Sequence, residues 1–355
     1  MTCETRVVMQ RRKLGRTGIE VSALCLGTMT FGRQTPAKEG HAQLDRALEA
    51  GIDFIDTAEM YPVNPVLPED TGVTESIVGD WIAASGKRQE IVLATKHSGA
   101  GFKGARDGAL ISSQTIPEAI EGSLKRLKTD VIDLYQFHWP NRGSYMFRQN
   151  WSYAPWEQDR ETTRAHMEDA LGALGREVER GTIRAFGLSN ESTWGTAEWL
   201  RIAKETKGPR VASIQNEYSL LCRMADTDLA ELMVNEDVSL LPFSPLGAGF
   251  LTGKYQAGAV PDGSRMSVNE TMGGRKSERV FAAVDAYLAL AREHDLDPVH
   301  MALAWTVQRP FVTSSIFGAT RLEQLEHVIA GMDLTLSQEV LSALDEVHKQ
   351  HPMPY

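Results

Sequence analysis

The chain alternates between short apolar runs and longer stretches in which apolar residues recur every three or four positions. The short runs are typical of buried strands and the longer stretches of amphipathic helices. Strands are predicted over residues 22–26, 52–56, 91–95, 131–137, 183–188, 211–214, 238–242 and 312–317. Helices are predicted over residues 36–50, 75–84, 117–127, 163–180, 196–204, 228–234, 277–294, 299–308, 322–330 and 338–349. Residues 13–21 are predicted to form a hairpin with Thr17-Gly18 at its turn.

Strands that are each followed by helix, with no linker between them, favour a (β/α)8 TIM barrel. Alternation alone also allows a doubly wound open sheet. The connections from helix to strand are short, whereas those from strand to helix are long, notably 62–74, 98–115, 139–161 and 246–276. Long loops on the C-terminal side of the strands match the active face of a barrel. We therefore predict one α/β barrel domain over residues 12–355, with an N-terminal β-hairpin and a flexible tail over residues 1–11.

Composition narrows the possible partners and the compartment. The 355 residues are 42% hydrophobic and carry a formal net charge of -10, which argues against a nucleic-acid partner. Cys3, Cys25 and Cys222 are an odd number without metal-ligand spacing, so a reduced, cytoplasmic environment is predicted. Residues 1–12 are polar and unlike a signal peptide. No apolar run approaches the roughly 18 residues that a membrane span needs, so no membrane partner is expected.

Ionisable side chains stand at or beside the C-terminal ends of successive strands: Asp56 with Tyr61, then Lys96, then His138. A carbonyl that accepts a hydride becomes an alkoxide and needs a proton donor. A free tyrosine titrates at about 10, and a neighbouring ammonium would lower that pKa. We expect Tyr61 to be the acid, Lys96 to lower its pKa, Asp56 to keep Lys96 charged and His138 to orient the carbonyl oxygen. Each residue taken alone could be structural, but together they favour one site.

Six segments carry a family resemblance: 56–61 (Asp-Thr-Ala-Glu-Met-Tyr), 95–96 (Thr-Lys), 136–140 (Gln-Phe-His-Trp-Pro), 187–190 (Gly-Leu-Ser-Asn), 215–218 (Gln-Asn-Glu-Tyr) and 243–246 (Phe-Ser-Pro-Leu). In this order the sequence resembles the aldo-keto reductases, and within them the bacterial Tas-like proteins and the potassium-channel β subunits. The resemblance implies a barrel that binds NADPH and reduces aldehydes or ketones. It implies Tyr61 as proton donor, supported by Asp56, Lys96 and His138. Channel β subunits of this type replace the histidine, so its presence favours turnover.

The resemblance also implies a cofactor site. Thr28, Met29 and Asp56 would border the nicotinamide, while Ser189, Asn190 and Gln215 bind its carboxamide and Phe243 stacks on its ring. The pyrophosphate would follow Ser244, Pro245, Leu246 and Gly247, with charge from Lys254 and Arg265, and Gly318, Thr320 and Gln324 would hold the adenosine. Arg321 would pair with a 2′-phosphate, which favours NADP over NAD, and Thr320 could cap the last barrel helix. His327 and Val328 stand where relatives often carry Glu-Asn, so adenine recognition departs from the family pattern.

Two loops bear on the site. Residues 99–104 match G-x-G-x-x-G, but the next predicted helix starts only near Pro117, so we predict a flexible loop beside the site rather than a dinucleotide fingerprint. The aromatic-rich loop 139–156 could wall an apolar substrate, pack on itself or form a subunit contact. Within it, Trp139 follows His138 and resembles a substrate-contact position of the family.

The predicted partner is a small carbonyl substrate, and the expected assembly is a monomer or a weak homo-oligomer. The alternative function is an NADPH-binding redox-sensing module with low turnover, like a channel β subunit. A metal-dependent hydrolase is disfavoured because His97 and His138 are too few to make a ligand set.

Overall fold

The structure, a computed structural model, describes residues 9–355. Two antiparallel strands, β1 (Arg11–Lys13) and β2 (Glu20–Ser22), form the predicted hairpin. Parallel strands follow: β3 (Leu24–Gly27), β4 (Phe54–Asp56), β5 (Val92–His97), β6 (Ile132–Phe137), β7 (Ile183–Ser189), β8 (Val211–Gln215), β9 (Ser239–Leu240) and β10 (Ser315–Phe317). They lie in the order β10-β3-β4-β5-β6-β7-β8-β9. The amide of Ile316 donates to the carbonyl of Pro242 at 2.8 Å and joins the two ends of the sheet. This closure confirms the barrel and excludes the open sheet.

Helices pack around the strands in the predicted order. They are α1 (Ala37–Glu49), α2 (Val73–Ser85), α3 (Thr115–Leu127), α4 (Arg160–Glu179), α5 (Thr193–Thr206), α6 (Asp228–Glu236), α7 (Arg265–Val268), α8 (Glu278–Glu293), α9 (Pro298–Val307), α10 (Leu322–Ala330) and α11 (Gln338–Gln350). Several of them have a side-chain N-cap. In α4, for example, the Asp159 side chain accepts a hydrogen bond from the amide of Thr162 at 2.6 Å. Only the short α7 lacks a counterpart among the predicted helices, because a single turn leaves no periodic pattern.

The interior of the barrel changes character along its axis. At the N-terminal end, Leu14 and Ile19 of the hairpin pack against inward side chains such as Phe54, Val92 and Leu134. Successive strand residues point to opposite faces, so every second residue points inward. Two or four residues further along the same strands, these inward positions hold Asp56, Lys96 and Gln136, followed by His138. The barrel interior is therefore apolar at the N-terminal end of the strands and polar at their C-terminal end, which we call the mouth of the barrel.

The beginning of the described chain is ordered. Of the tail predicted over residues 1–11, residues 1–8, including Cys3, lie outside the described range. Met9 is buried beside Gly51, and Arg11 starts β1 and pairs with Asp53 at 2.6 Å. Ordered structure therefore begins before Arg12, the predicted domain boundary. Among the described residues, no helix is long and apolar enough to cross a membrane.

Gly79 provides a test of how closely the outer helices approach. A Cβ at this position of α2 would collide with the carbonyl oxygen of Arg126 and lie 2.8 Å from the carbonyl carbon of Leu127 in α3. We expect Gly79→Ala to lower the free energy of unfolding by about 1–3 kcal/mol, because overpacking outweighs the better helix propensity of alanine. The measurement is the urea midpoint. Gly172→Ala in α4 is the control, because its nearest neighbour is the Arg176 side chain at 3.8 Å, and it should gain about 0.5–1 kcal/mol. Stabilisation by both changes would contradict this packing.

Candidate active site

A buried ion pair stands at the polar mouth of the barrel. The Lys96 side chain is fully buried in β5, and its Nζ donates to Asp56 Oδ1 at 2.5 Å and to the carbonyl of Thr57 at 2.8 Å. Burial lowers the pKa of Lys96, but Asp56 and Tyr61 raise it by more, so that the pKa lies above its ordinary value. The lysine is therefore charged at neutral pH, as the expected role of Asp56 requires.

Two amides fix the second oxygen of the Asp56 carboxylate. Gln215 donates to Oδ2 at 2.8 Å and Gln136 donates to the same atom at 3.2 Å. Gln136 was not among the candidate residues. Its position two residues before His138 on the same inward face of β6 is the signal that could have identified it. The carboxylate is thus held in place by side chains from β5, β6 and β8.

Tyr61 lies beside this pair. Its Oη is 3.4 Å from Lys96 Nζ, a long hydrogen bond, and the side chain is buried. Burial is the largest influence on the pKa of Tyr61 and raises it, while Lys96 lowers it and Asp56 raises it again. The pKa consequently lies above the ordinary value, contrary to the expectation that Lys96 would bring it down. The phenol stays protonated and keeps the proton that a general acid must deliver.

His138 flanks Tyr61 from the end of β6. The two rings pack edge to face with centroids 5.6 Å apart. Burial, and secondarily Lys96, holds the pKa of His138 well below its usual range, so the ring is neutral. Its Nδ1 is buried and lacks a hydrogen-bond partner among residues 9–355. A proton there would be a buried unpaired donor, which is costly, so the ring carries its proton on Nε2. The Tyr61 hydroxyl and His138 Nε2 are therefore two donors suited to one carbonyl oxygen.

The predicted carboxamide-binding residues lie together at the ends of β7 and β8. Ser189 Oγ donates to the carbonyl of Gln215 at 2.8 Å, and Asn190 Nδ2 donates to the carbonyl of His138 at 2.9 Å. Asn190 adopts a left-handed backbone with φ of 54°. Its Oδ1 is buried without a hydrogen-bond partner in the described part of the chain. This acceptor fits the N–H of a carboxamide, whereas the amide of Gln215 already binds Asp56.

The loop after β9 is shaped for a close approach to a ligand. Phe243 is half-buried, and the following residues Ser244, Pro245, Leu246 and Gly247 line the mouth in a tight turn. Ser244 and Ala248 have φ of 54° and 58°, and Gly247 and Gly249 are also left-handed. Such a conformation is uncommon for residues with a Cβ and clusters at functional sites. Successive amides in a turn of this kind can form a concavity that binds anions.

Three cations near this loop have no acidic counterpart. Neither Lys254, Arg265 nor Arg321 has a carboxylate within salt-bridge distance among the described residues. Burial and the neighbouring Arg275 lower the pKa of Arg265 to about 10, and burial together with Arg265 and Arg321 lowers the pKa of Lys254. Clustered positive charge is destabilising until an anion joins it. The cluster therefore fits the phosphates of a dinucleotide.

The adenosine end departs from the expected arrangement. Gln324 Oε1 accepts from the amide of Thr320 at 2.8 Å, but Arg321 rather than Thr320 occupies the N-cap position of α10. The first amide of that helix, on Leu322, donates instead to Glu39 of α1 at 2.5 Å. The predicted capping by Thr320 is therefore wrong, because a distant carboxylate takes that role. Gly318 is exposed in the same turn.

The two residues of α10 that differ from the family pattern, His327 and Val328, offer no obvious contact to adenine. Val328 is buried in the core, and His327 lies 3.0 Å from Asp297. The two residues that differ from the family pattern therefore have other contacts: Val328 packs into the core, and His327 lies next to Asp297.

Thr28 and Met29, which are expected to border the nicotinamide, follow the end of β3. Thr28 Oγ1 donates to the carbonyl of Asp56 at 2.9 Å. Met29 Sδ is 3.5 Å from Arg265, so the loop after β9 reaches across to the loop after β3.

On the substrate side, the Trp139 ring lies 5.2 Å from that of His138 and packs over Gly99. Residues 99–104 form a loop, and α3 begins only at Thr115, so the dinucleotide fingerprint is excluded as predicted. Trp151 and Trp156 are 75% and 82% exposed, so these two side chains do not pack into the aromatic loop.

Comparison with known proteins places this geometry in a family. The model described as the aldo/keto reductase family matches residues 23–349. Protein tas of Escherichia coli is 42% identical over 98% of this chain and 99% of its own. The uncharacterized oxidoreductase YrpG of Bacillus subtilis is 32% identical over 96% of both chains. A probable voltage-gated potassium channel subunit beta of Arabidopsis thaliana is 30% identical over 97% of this chain and 98% of its own.

The ion pair predicts a double-mutant result. Removing either partner leaves a buried group without its counterpart, so Asp56→Asn and Lys96→Met should each lower the free energy of unfolding by about 3–5 kcal/mol. The double variant should lose clearly less than the sum of both, because it leaves no isolated charge. Denaturant unfolding of the four proteins measures the coupling. The exposed pair Arg16–Asp237 is the control, and its loss should stay within about 1 kcal/mol. Additive losses at Asp56 and Lys96 would contradict direct pairing.

Proposed function

The chain belongs to the aldo/keto reductase family, and we propose that it is an NADPH-dependent oxidoreductase that reduces aldehydes or ketones to alcohols. The observation that carries the proposal is the buried Tyr61 side chain, whose hydroxyl lies 3.4 Å from Lys96 Nζ and whose ring packs against that of His138 with centroids 5.6 Å apart. General-acid catalysis needs a donor that is protonated at the working pH and lies next to the reacting oxygen. The raised pKa of Tyr61 supports the first requirement, and a carbonyl oxygen bound by Tyr61 and His138 would satisfy the second.

The mechanism assigns one task to each side chain. The hydroxyl of Tyr61 and Nε2 of His138 bind the carbonyl oxygen and polarise it. The reduced nicotinamide, when bound, supplies the hydride to the carbonyl carbon. Tyr61 then transfers its proton to the resulting alkoxide and becomes a phenolate. Lys96 stabilises that phenolate across the 3.4 Å contact, and Asp56 keeps Lys96 charged while it does so.

Residues at the mouth support NADPH as the cofactor. Asn190 Oδ1, buried and unpaired among the described residues, would accept from the carboxamide, while Ser189 holds the turn beside it. Phe243 would cover the nicotinamide ring. Lys254 and Arg265 would neutralise the pyrophosphate along residues 244–247. Arg321 has the charge for a 2′-phosphate, which distinguishes NADPH from NADH.

A second function is a cofactor-binding sensor with low turnover. Similarity to the probable channel subunit of Arabidopsis thaliana over nearly the whole chain favours it. It would retain the phosphate-binding cations and need no proton transfer. His138 argues for the enzyme, because a neutral donor beside Tyr61 serves the reacting oxygen and contributes nothing to cofactor capture.

Substitution of Tyr61 separates these functions. With nitrobenzaldehydes and methylglyoxal as substrates, Tyr61→Phe should lower kcat/KM by about 10²- to 10⁴-fold, because it removes the transferred proton but keeps the ring. NADPH oxidation at 340 nm, a general property of the cofactor, follows the reaction, and quenching of tryptophan fluorescence should show that cofactor binding survives. Full activity in Tyr61→Phe would overturn the acid assignment. Wild-type protein that binds NADPH but reduces no carbonyl of the panel would favour the sensor.

The pH dependence gives a second readout of the same residue. Since the pKa of Tyr61 is raised, its proton is present at neutral pH and is lost only above the ordinary tyrosine value of about 10. Carbonyl reduction should therefore show no loss from this group between about pH 7 and pH 9, whereas alcohol oxidation, which needs the phenolate, should rise through the same range. A fall in kcat for reduction with an apparent pKa near 8, absent from Tyr61→Phe, would show that Lys96 outweighs burial.

Cofactor preference depends on two opposite charges at the start of α10. Arg321→Ala should weaken NADPH binding by about tenfold and leave NADH nearly unchanged, since only NADPH carries the 2′-phosphate. Glu39→Gln should strengthen NADPH binding, because the amide side chain can still accept from Leu322 but no longer repels a phosphate. Arg292→Ala in the last turn of α8 is the control. Fluorescence titration with each nucleotide measures the four proteins. Equal weakening for both nucleotides in Arg321→Ala would refute its specific role.

A further inference from the structure

Three metal-ligating side chains meet where α9 begins and α10 ends. Asp297 precedes α9, His300 lies in its first turn and His327 lies in the last turn of α10. One ligand atom from each lies within 4.8 Å of the other two, the only such group of three found among residues 9–355. All three side chains are partly exposed, so an ion could reach them from solvent. None of them takes part in the proposed proton transfer.

The hydrogen bond of His300 leaves its Nδ1 available to bind a metal ion. Its Nε2 lies 2.7 Å from the backbone oxygen of His327, which can only accept, so Nε2 carries a proton. In the neutral ring Nδ1 then holds a lone pair, and it faces Asp297 Oδ1 at 3.9 Å. Metal-bound histidines commonly donate their second N–H to a carbonyl in this way, which fixes the ring. Gly331 allows the arrangement, because a Cβ there would collide with the His300 ring.

The carboxylate of Asp297 is divided between two tasks. Oδ1 caps α9 by accepting from the amides of Val299 and His300 at 2.8 and 3.0 Å. Oδ2 is the atom that approaches His327, at 3.0 Å from its Nε2. The helix cap therefore fixes the side chain, with Oδ2 directed at His327 and the capping oxygen Oδ1 facing His300 Nδ1 at 3.9 Å.

We propose that Asp297, His300 and His327 bind a divalent transition-metal ion of the Zn²⁺ type, with water completing the shell. Two imidazoles and one carboxylate suit Zn²⁺, Co²⁺ or Ni²⁺ and disfavour Mg²⁺ and Ca²⁺, which take oxygen ligands. Ligands about 2.0–2.2 Å from Zn²⁺ in a tetrahedral shell lie roughly 3.4 Å apart, so the three side chains need only small rotations. The ion would clamp the start of α9 to the end of α10. The proposal is independent of the reductase chemistry.

An ion pair between protonated histidines and Asp297 is the competing explanation. The two differ in pH dependence, because metal binding requires deprotonated imidazoles and therefore weakens as the pH falls. Besides Asp297, the backbone carbonyl of His327 is the polar group that contacts His300, and the two histidine rings lie 4.8 Å apart.

The experiment titrates chelator-treated full-length protein with Zn²⁺ by calorimetry and with Co²⁺ by visible absorption. We expect one equivalent to bind with a dissociation constant on the order of 1 μM at pH 7.5, about −8 kcal/mol at a 1 M standard state. Asp297→Asn should weaken binding by at least about tenfold, although asparagine still caps α9. His327→Ala should weaken it equally, whereas His166→Ala in α4 should bind like the wild type. Thermal melts with and without Zn²⁺ verify folding, and Zn²⁺ should raise the Tm of the wild type and not that of Asp297→Asn.

Two results would overturn the site. The first is wild-type protein that takes up no stoichiometric Zn²⁺ or Co²⁺ at pH 7.5. The second is uptake that is unchanged in both Asp297→Asn and His327→Ala, which would place the ion elsewhere. If either variant fails to fold, the other alone decides the outcome.

Discussion

The buried pair of Lys96 and Asp56 is the interaction on which the rest of the site depends. An ammonium inside a barrel loses its water and remains charged only if the protein supplies acceptors. Asp56 and the carbonyl of Thr57 supply them, and Gln136 and Gln215 in turn hold Asp56. Side chains from four parallel strands meet in this network because their C-terminal ends lie at one face of the barrel. The barrel brings these side chains together, and their hydrogen bonds in turn make the buried charge tolerable.

Burial is the main reason that the tyrosine is an acid and not a phenolate, while the two members of the ion pair act on its pKa in opposite directions. At an effective dielectric constant of about 20, a charge 3.4 Å away stabilises a phenolate by about 5 kcal/mol. Removing the phenolate from water costs several kcal/mol, and Asp56 opposes it further. Burial and Asp56 together outweigh Lys96, so the proton stays in place. Lys96 then stabilises the negative charge that develops on the phenol oxygen during the transfer, and an interaction that strengthens in the transition state lowers the barrier.

Sequence patterns predicted the features that are set by residues close together in the chain. Their positions at or beside the C-terminal ends of the strands placed Asp56, Lys96 and His138 at one face of the barrel. The alternation of inward side chains along β6 could have added Gln136. Contacts between residues far apart in sequence could not be predicted in this way. Glu39 reaches the start of α10 from α1, and Trp151 and Trp156 are exposed although their loop is rich in aromatic residues. The raised pKa of Tyr61 also depends on a balance between burial and charge, which composition and spacing do not contain.

The cations at the mouth fall into two groups with different tasks. Arg148 and Arg275 come from two long loops, and both bind the buried carboxylate of Glu217 at the end of β8, at 2.8 and 2.7 Å. They order those loops through the protein's own charges. Lys254 and Arg265 have no such carboxylate in residues 9–355, although Arg265 lies in the same loop as Arg275. A loop that is already ordered loses little conformational entropy when it binds phosphates. The attraction between the phosphates and its unpaired cations therefore contributes almost fully to the binding affinity.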